Sequence, residues 1–433
     1  MCLRLTNDSP SLHTLKHLPP LPLVIDYSDI TRVMVPKDED NIHLGLQQHS
    51  QRVRRVALVV PSPSLRMLFE PMKRLFPRLE DFSLLSTTTD EISLVLPETF
   101  QAPNLRHLSL HGISLPKGLL LLPSAITLST LSLTHIQDSC FLFPGYLATQ
   151  LQGLPYLEEL SIGFAIAIPP PSNEQELLHS SIPSVTPPTL RLRRLTFRGE
   201  GAYLDDFVAQ INAPLLERLS LALFFDPTFS LWNLNQFIRR TEGFGCPVAR
   251  VIFNKDGVSV DTGDYEQEDI GKFSLRVDCE SLDWQIDSAT QICSTLGNVL
   301  SSVEKLVLDL DEDGTPSDWE NTLNNIVWHE LLLPFIGVKK LHICYSLILE
   351  LSRALGSVAE EFVLGFLPEL QELGVQFEIN HAIRLFNLFV ETRESVGRPV
   401  QLLALPIPYA GPRIFPKYMN YTSSIPVCCN IIT

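Results

Sequence analysis

The chain repeats one short pattern of apolar and polar positions. In its clearest copy, Leu105 to Leu110, apolar residues stand at the first, fourth and sixth places and polar residues stand between them. We call the first apolar place p, so that the other two are p+3 and p+5. Because p+3 and p+5 alternate with polar places, the pattern predicts a strand with one buried face.

The pattern occurs thirteen times, at intervals of 22 to 35 residues. Its copies start at Val53, Leu79, Leu105, Leu128, Leu157, Leu192, Leu216, Val248, Ile270, Val303, Val338, Leu370 and Val400. Such a pattern at a loose period is typical of stacked-repeat proteins. The segments between copies, clearest at 65–75, 292–299 and 347–355, have apolar residues at helical spacing. Several end in a proline such as Pro77, which we expect to stop the helix before the strand.

A single repeat cannot fold alone. Its three apolar side chains contribute roughly 5–9 kcal/mol on burial, whereas ordering about thirty residues costs on the order of 30–60 kcal/mol. Each repeat therefore needs neighbours on both sides. The sequence predicts an α/β solenoid shaped like a horseshoe, with parallel strands on the concave face and helices outside.

The first and last copies set the expected domain organisation. Residues 1–20 are expected to be an N-terminal remnant and 406–433 an irregular tail. Residues 21–405 form the irregular solenoid, with a first strand at 21–27 and a candidate first helix at 42–48. This solenoid resembles the leucine-rich repeat, L-x-x-L-x-L, from about residue 53 onward. It departs at p+8, where Ile113, Ile136 and Ala165 replace the usual Asn or Cys, so the side-chain ladder that caps loop carbonyls is missing.

Two short segments resemble fungal F-box proteins with leucine-rich repeats. Residues 8–27 look like the segment after the F-box, although His13 stands where that family often has Trp. Trp328 to Phe335, followed by Val338 and Leu341, resembles the family's penultimate repeats. The resemblance implies the substrate-binding part of a ubiquitin-ligase adaptor. The F-box that grips a Skp-type linker would lie upstream, so we expect this chain alone not to bind the linker.

A protein partner is expected on the concave face. If p, p+3 and p+5 point into the core, p+2 and p+4 stand on the opposite face, about 4.8 Å from their counterparts in the next strand. Their mixture of polar and charged groups suits directional contacts, and arginine often anchors protein interfaces. The alternative is that these groups are merely solvated. The candidate partner-binding residues are Arg55, His107, Glu159, Arg194, Arg218, Lys340, His342 and Glu372.

Composition narrows the class of partner and the compartment. The 433-residue chain has a net charge of −16, which argues against nucleic acid and gives no basic face for a membrane. We find no signal-peptide core and no apolar run of transmembrane length. The eight scattered cysteines suit a reducing compartment, cytoplasm or nucleus. Residues 256–330 hold 18 acidic residues against three basic ones, which indicates a solvated rim or a docking patch for a basic partner.

Candidate chemistry is sparse, and no cofactor is predicted. Asp309, Asp311, Asp313 and Glu320 match the spacing of a calcium loop, but a predicted strand enters it and Pro316 interrupts it. A solvated acidic loop is the alternative, and we expect no calcium binding. Phosphate-loop, G-x-S-x-G and C-x-x-C motifs are absent. The sequence therefore favours a non-enzymatic protein-recognition scaffold. The alternatives are a free-standing structural scaffold without a ubiquitin role and a cryptic hydrolase.

Overall fold

One long sheet backed by helices organises the protein. The computed structural model describes residues 2–7, 9, 21–29, 31, 34–88, 94–116, 124–137, 142–166, 187–226, 231–241, 244–263, 272–279, 281–310, 325–356, 365–376 and 379–405. The strands are β1 (Leu3–Leu5), β2 (Leu23–Tyr27), β3 (Val53–Val60), β4 (Asp81–Ser86), β5 (Leu94–Val95), β6 (His107–His111), β7 (Ile113–Ser114), β8 (Thr130–Ile136), β9 (Glu159–Phe164), β10 (Arg194–Gly199), β11 (Arg218–Phe224), β12 (Val248–Asn254), β13 (Gly257–Thr262), β14 (Phe273–Asp278), β15 (Lys305–Leu310), β16 (Lys340–Ile343), β17 (Glu372–Val375) and β18 (Gln401–Ala404). The helices are α1 (Pro36–Gln48), α2 (Ser62–Met72), α3 (Pro144–Gln152), α4 (Gly201–Ala209), α5 (Trp232–Arg240), α6 (Leu282–Thr295), α7 (Gly297–Leu300), α8 (Asn325–Leu332), α9 (Ile348–Gly356) and α10 (Ile379–Ser395).

The main sheet has sixteen strands, and each of the thirteen sequence copies contributes one of them. Its order is β1-β2-β3-β4-β6-β8-β9-β10-β11-β14-β13-β12-β15-β16-β17-β18, while β5 and β7 pair separately. All neighbours in the main sheet are parallel except those of β13, which runs antiparallel to β12 and β14. The predicted leucine-rich-repeat-like α/β solenoid is confirmed. Because β1 pairs with β2, the sheet begins before the predicted boundary at residue 21.

A tight turn leads into many of the strands. The N–H at place p donates to the carbonyl three residues earlier, as from Leu79 to Phe76 at 3.2 Å and from Leu105 to Ala102 at 3.1 Å. Pro77 occupies the second position of the first of these turns, where its fixed φ is favourable. Proline thus shapes the turn itself, whereas the sequence prediction assigned it only the end of a helix.

The core lies between the sheet and the helices. Leu105, Leu108 and Leu110, at places p, p+3 and p+5, are each fully buried, and one continuous apolar cluster joins such side chains to those of the helices. Each buried leucine contributes roughly 1.5–3 kcal/mol. The p+8 residues Ile113 and Ile136 are buried in this core as well. The alternation seen in the sequence therefore separates a helix-covered face from an opposite face that carries p+2 and p+4.

Individual side chains cap turn carbonyls in place of a continuous ladder. Asn104 donates from Nδ2 to the carbonyl of Pro77 at 2.7 Å, and Thr127 donates to that of Leu105 at 2.9 Å. Near the C-terminal end, Arg393 is buried and donates to the carbonyl of Leu370 at 3.0 Å. These carbonyls are thus satisfied by different side chains at different places.

An inverted block interrupts the sequential order of strands. A hairpin turn at Lys255 and Asp256 joins β12 to β13, and β14 then pairs with β11. The hairpin requires glycine at 257, because a Cβ there would lie 2.2 Å from the carbonyl oxygen of Val277. Helix α6 packs on helix α8 and, among the strands, mainly on β13, and the chain then returns to β15, which pairs with β12. The sequence analysis missed this inversion, since it assumed parallel neighbours throughout.

Two copies of the pattern differ from their predicted register. Val248 pairs with Lys305, so it occupies place p+2 rather than p. A shift of two residues keeps the same face inside, so the apolar pattern fits both alignments. At the last strand, Gln401 pairs with Glu372, which makes Val400 place p+1.

Candidate functional site: the open face of the sheet

The p+2 side chains form a continuous row across the sheet. Register pairs Arg55, Asp81, His107, Thr130, Glu159, Arg194 and Arg218 in turn, one on each consecutive strand from β3 to β11. Beyond the inverted block, Lys305, Lys340 and Glu372 continue it. We call the face that carries the p+2 and p+4 side chains the open face. All eight candidate residues lie on it, with His342 at p+4, and Asp81 and Thr130 join a row from which the sequence analysis left them out.

A second row, at p+4, consists mostly of small hydroxyl side chains. It runs through neighbouring strands from β4 to β14 and comprises Ser83, Ser109, Ser132, Ser161, Thr196, Ser220 and Ser274. Each hydroxyl can donate one hydrogen bond and accept others. The row is short-chained beside the long side chains at p+2, so a partner's groups can approach it closely.

Ion pairs link neighbouring members of the p+2 row. Arg194 donates to Glu159 at 2.8 Å, and these side chains are 54% and 41% exposed. Lys340 and His342 both lie 3.2 Å from Glu372. Burial alone would raise the pKa of Glu372, but hydrogen bonds from His342 and Lys340 outweigh it and hold that pKa below its usual value. Exposed pairs such as Arg194–Glu159 contribute only about 0–1 kcal/mol, so they can exchange partners at little cost.

The inverted block carries a denser set of charges, which we call the central network: Arg198, Arg250, Arg276, Asp261, Asp278 and Asp309. Arg250 hydrogen-bonds to Asp309, whose side chain is 7% exposed. Arg276 and Arg198 both donate to Asp278, at 2.8 Å and 3.1 Å. Sequence reasoning missed this network because it joins residues beyond p+4 with residues of the inverted hairpin.

Asp261 lies at the centre of the network, on β13. It pairs across the sheet with Arg250 on one side and Ser274 on the other. Ser259 donates to its Oδ2 at 3.2 Å, while its Oδ1 is buried and receives no hydrogen bond from the residues that the structure describes. Burial raises the pKa of Asp261 in spite of hydrogen bonds from the side chains of Ser274 and Ser259 and of the charges of Arg250 and Arg276.

Aromatic side chains border the network. Trp284 stacks on Phe225 with ring centroids 4.8 Å apart and stays 52% exposed. The guanidinium of Arg198 lies 5.5 Å from the ring centroid of Phe224. Tryptophan and arginine are the residues most often found at the centres of protein interfaces. The contact of Arg198 with Phe224 therefore adds an aromatic ring to the charged surface, whereas Trp284 belongs to helix α6.

The calcium candidate lies mostly outside the described residues. Asp311, Asp313 and Glu320 belong to the part left undescribed, and Asp309 is the member with a defined place. Its carboxylate binds Arg250 and accepts the N–H of Leu310 at 3.0 Å. A cation at this site would have to displace Arg250. Across the described ranges, no group of three or more His, Cys, Asp or Glu is placed to hold a metal ion.

The acidic segment 256–330 divides between the two faces. Asp261, Asp278 and Asp309 lie within the central network, while Asp283 and Asp287 are exposed on helix α6. Burial raises the pKa of Asp287, and the charges of Asp283 and Glu330 add to the rise. Part of the acidic excess thus serves ion pairing within the sheet.

Nucleophile chemistry is poorly supported by the groups in place. The hydroxyl of Thr134 lies 3.0 Å from Nδ1 of His111, but Thr134 is buried. Burial, with a smaller effect from His135, lowers the pKa of His111 to about 4, which makes it a weak base at neutral pH. Cys246, Cys279, Cys293 and Cys344 are buried free thiols, as expected of small apolar fillers, and Cys140 lies outside the described residues.

Comparisons with known proteins identify no family. No family model matches the chain, and no curated protein matches it. Among solved structures it is similar to the leucine-rich repeat-containing protein LegL7 from Legionella pneumophila, at 12% identity over 92% of this chain and 99% of that one, with a TM-score of 0.29. It is also similar to a chain of the TLR13–ssRNA13 complex, at 12% identity over 82% of this chain and 46% of that one, with a TM-score of 0.28. At these scores, the fold assignment rests on the strand register described above.

The residues behind the F-box resemblance have a structural explanation of their own. Trp328 is fully buried and packs edge-on against Phe253, with ring centroids 5.7 Å apart. Phe335, Val338 and Leu341 are fully buried too. A repeat unit needs these apolar residues for packing whatever its role. Most of the other segment, residues 8–20, lies outside the described residues.

Proposed function

We propose that the protein is a non-enzymatic scaffold that binds a protein partner on the open face. The observation that supports this most is the p+2 row, in which charged and polar side chains stand in register on successive strands. The seven strands from β3 to β11 extend about 29 Å at the usual strand spacing. A surface of this length matches one side of a protein interface better than a small molecule. The net charge of −16 disfavours nucleic acid as the partner.

A narrower form of the proposal makes the scaffold the target-binding part of an F-box ubiquitin-ligase adaptor. Its support is the resemblance at residues 8–27 and 328–341. A Skp-type linker would then bind an F-box rather than the repeats, so we expect the repeats alone not to retain it. The competing form is a free-standing scaffold without a ubiquitin role. The eight cysteines and the buried free thiols among them suit the cytoplasm or nucleus as the location.

Charge reversal on the row tests the scaffold. The Arg194→Glu and Arg218→Glu double variant should fold with a nearly unchanged melting temperature, because Arg194 is exposed, Arg218 is only half-buried, and substitutions outside the core usually cost little. It should weaken capture of the partner found by proximity labelling at least tenfold. The matched control is Arg66→Glu with Arg240→Glu, which makes the same charge change at exposed places on helices α2 and α5. The control should bind normally.

The outcomes separate the alternatives. If the double variant folds and still binds, the partner docks elsewhere and the open-face proposal is wrong. If partner and scaffold bind but the half-life of the partner is unchanged when the scaffold is depleted, the ubiquitin-ligase form fails and the free-standing scaffold stands. If the repeats alone retain a Skp-type linker stoichiometrically, the expectation that the linker binds an F-box rather than the repeats is wrong.

No helix among those described is both long enough and apolar enough to span a bilayer.

A further inference from the structure

A cleft at the N-terminal ends of the strands lies apart from the open-face rows. It forms where the chain enters strands β3, β4 and β6, and its volume is about 340 Å³. Three arginines line it, Arg54, Arg78 and Arg106, together with one carboxylate, Glu80. The volume falls within the roughly 300–1,000 Å³ of small-molecule sites.

The backbone holds these side chains in fixed places. Arg54, Glu80 and Arg106 occupy p+1 of successive repeats. The N–H of Glu80 donates to the carbonyl of Arg54 at 2.8 Å, and the N–H of Arg106 donates to the carbonyl of Glu80 at 2.8 Å. Asn104 ties the neighbouring turn through its bond to Pro77. The arginines therefore start from rigid, closely spaced positions, which lowers the entropic cost of using them together.

The charges in the cleft are unbalanced, unlike those of the ion pairs at the entrances of later strands. Arg193 pairs one to one with Glu217, and Lys339 with Glu304. In the cleft, Glu80 accepts a hydrogen bond from Arg54 at 2.9 Å, and the guanidinium groups of Arg78 and Arg106 add two further positive charges. The residues that line the cleft thus carry an excess of two positive charges, on a chain whose net charge is −16, while Asp81, whose charge also acts on Arg54, lies outside the lining.

An excess of two matches a dianion. A phosphate monoester carries about −1.5 to −2 at pH 7 and offers three strong acceptor oxygens. Arginine binds such oxygens through paired N–H groups. A single carboxylate would leave one guanidinium unmatched. We propose that this cleft binds a phosphate monoester, borne either by a phosphorylated side chain of a protein or by a free metabolite.

Titration calorimetry at low ionic strength tests the site directly, because screening by salt is then weak. The probes are inorganic phosphate and a Gly-Ser peptide with one central phosphoserine, with the unphosphorylated peptide as the reference. We expect both phosphate probes to bind and the reference peptide not to bind. Tighter binding of the phosphopeptide would assign the site to a protein-borne phosphate, whereas equal binding would assign it to the free group.

Variants show whether the arginines act together. Arg78→Ala and Arg106→Ala should each weaken binding about tenfold, in line with the loss of a charged hydrogen bond. Glu80→Gln should strengthen binding, because it removes the competing carboxylate. The control Arg66→Ala changes an exposed arginine of helix α2 and should leave binding unchanged.

Two results would overturn the proposal. One is the absence of binding by either phosphate probe at millimolar concentration to the folded wild-type chain. The other is an equal loss in Arg66→Ala, which would reduce the effect to overall charge. Neither result depends on the open-face partner, so failure here leaves the scaffold proposal intact.

Discussion

Two regions of the sheet carry similar charged residues on the same face: the sequential strands β2 to β11 and the inverted block β12 to β14. The two regions differ in how far these residues are exposed to solvent. In the sequential part, Arg194 and Glu159 pair with side chains 54% and 41% exposed. At the border of the block, Arg250 of β12 pairs with Asp309 of β15, and these side chains are 19% and 7% exposed. The same chemistry is solvated in one region and largely desolvated in the other.

The difference in solvation decides what each region can do. A solvated ion pair is worth about 0–1 kcal/mol and can be traded for contacts with a partner. A desolvated pair is costly to break, because removal of one member leaves a buried charge uncompensated. We therefore expect the sequential part to be the better docking surface, and the breaking of the central network to cost more stability.

Asp309→Ala should have the largest effect. It removes a carboxylate that hydrogen-bonds to Arg250, whose side chain is only 19% exposed. We expect the free energy of unfolding to fall by about 3 kcal/mol, as for other buried pairs broken from one side. The measurement is the midpoint of urea unfolding followed by circular dichroism. A loss below about 1 kcal/mol would show that this pair contributes no more than a solvated pair, and the proposed difference between the two regions would be wrong.

Gly257→Ala should break the inverted block through the backbone. The new Cβ would lie 2.2 Å from the carbonyl oxygen of Val277, so the hairpin has to shift. We expect a loss of about 2–3 kcal/mol, the usual cost of overpacking, in the same unfolding measurement. Gly297→Ala is the matched control, since a Cβ there meets no atom within 4 Å. Equal effects of the two variants would contradict the close approach.

Acid should destabilise the sequential part at a stacked pair of histidines. His135 has a φ of 57°, and its ring stacks on His111 with centroids 5.1 Å apart. Burial lowers the pKa of His111 to about 4 from a model-peptide value of 6.5, so the unfolded chain binds the proton more readily. The contribution of neutral His111 to the free energy of unfolding is therefore fully present above pH 6.5. It is lost as the pH falls from 6.5 to about 4, and the loss is at most about 3 kcal/mol.

The pH dependence of the urea midpoint, compared between wild type and His111→Gln, measures this effect. The variant should lose less stability between neutral pH and pH 4.5. His107→Gln is the control, because that ring is 54% exposed. If the wild type and His111→Gln lose stability equally over this range, the histidine pair is not the source of acid sensitivity.

Glu159→Ala should have the smallest effect. It breaks the exposed pair with Arg194, so the free energy of unfolding should change by less than about 1 kcal/mol. The same urea experiment used for Asp309→Ala measures it. A loss as large as that of Asp309→Ala would show that exposure does not separate the two regions.

The sequence by itself determined most of the repeat strands, their buried faces and most of the open-face row. Each copy of the pattern carries its own alternation, so Leu108 and Leu110 specify which face is buried without knowledge of any neighbour. The helices α2 and α9 follow from local spacing in the same way, and they lie close to the predicted 65–75 and 347–355. Such features depend on residues near in sequence, which is why a single chain reveals them.

The tertiary structure alone decided the inverted order of strands β12 to β14, and with it the central network. The alternation at Val258 and Val260 suits a parallel or an antiparallel strand equally well, so the inversion of β13 could not be predicted. Asp261 meets Arg250 and Ser274 only because that inversion brings β12 and β14 to its sides. Pairing between distant segments depends on how all of them pack together, and a local pattern carries no record of that choice.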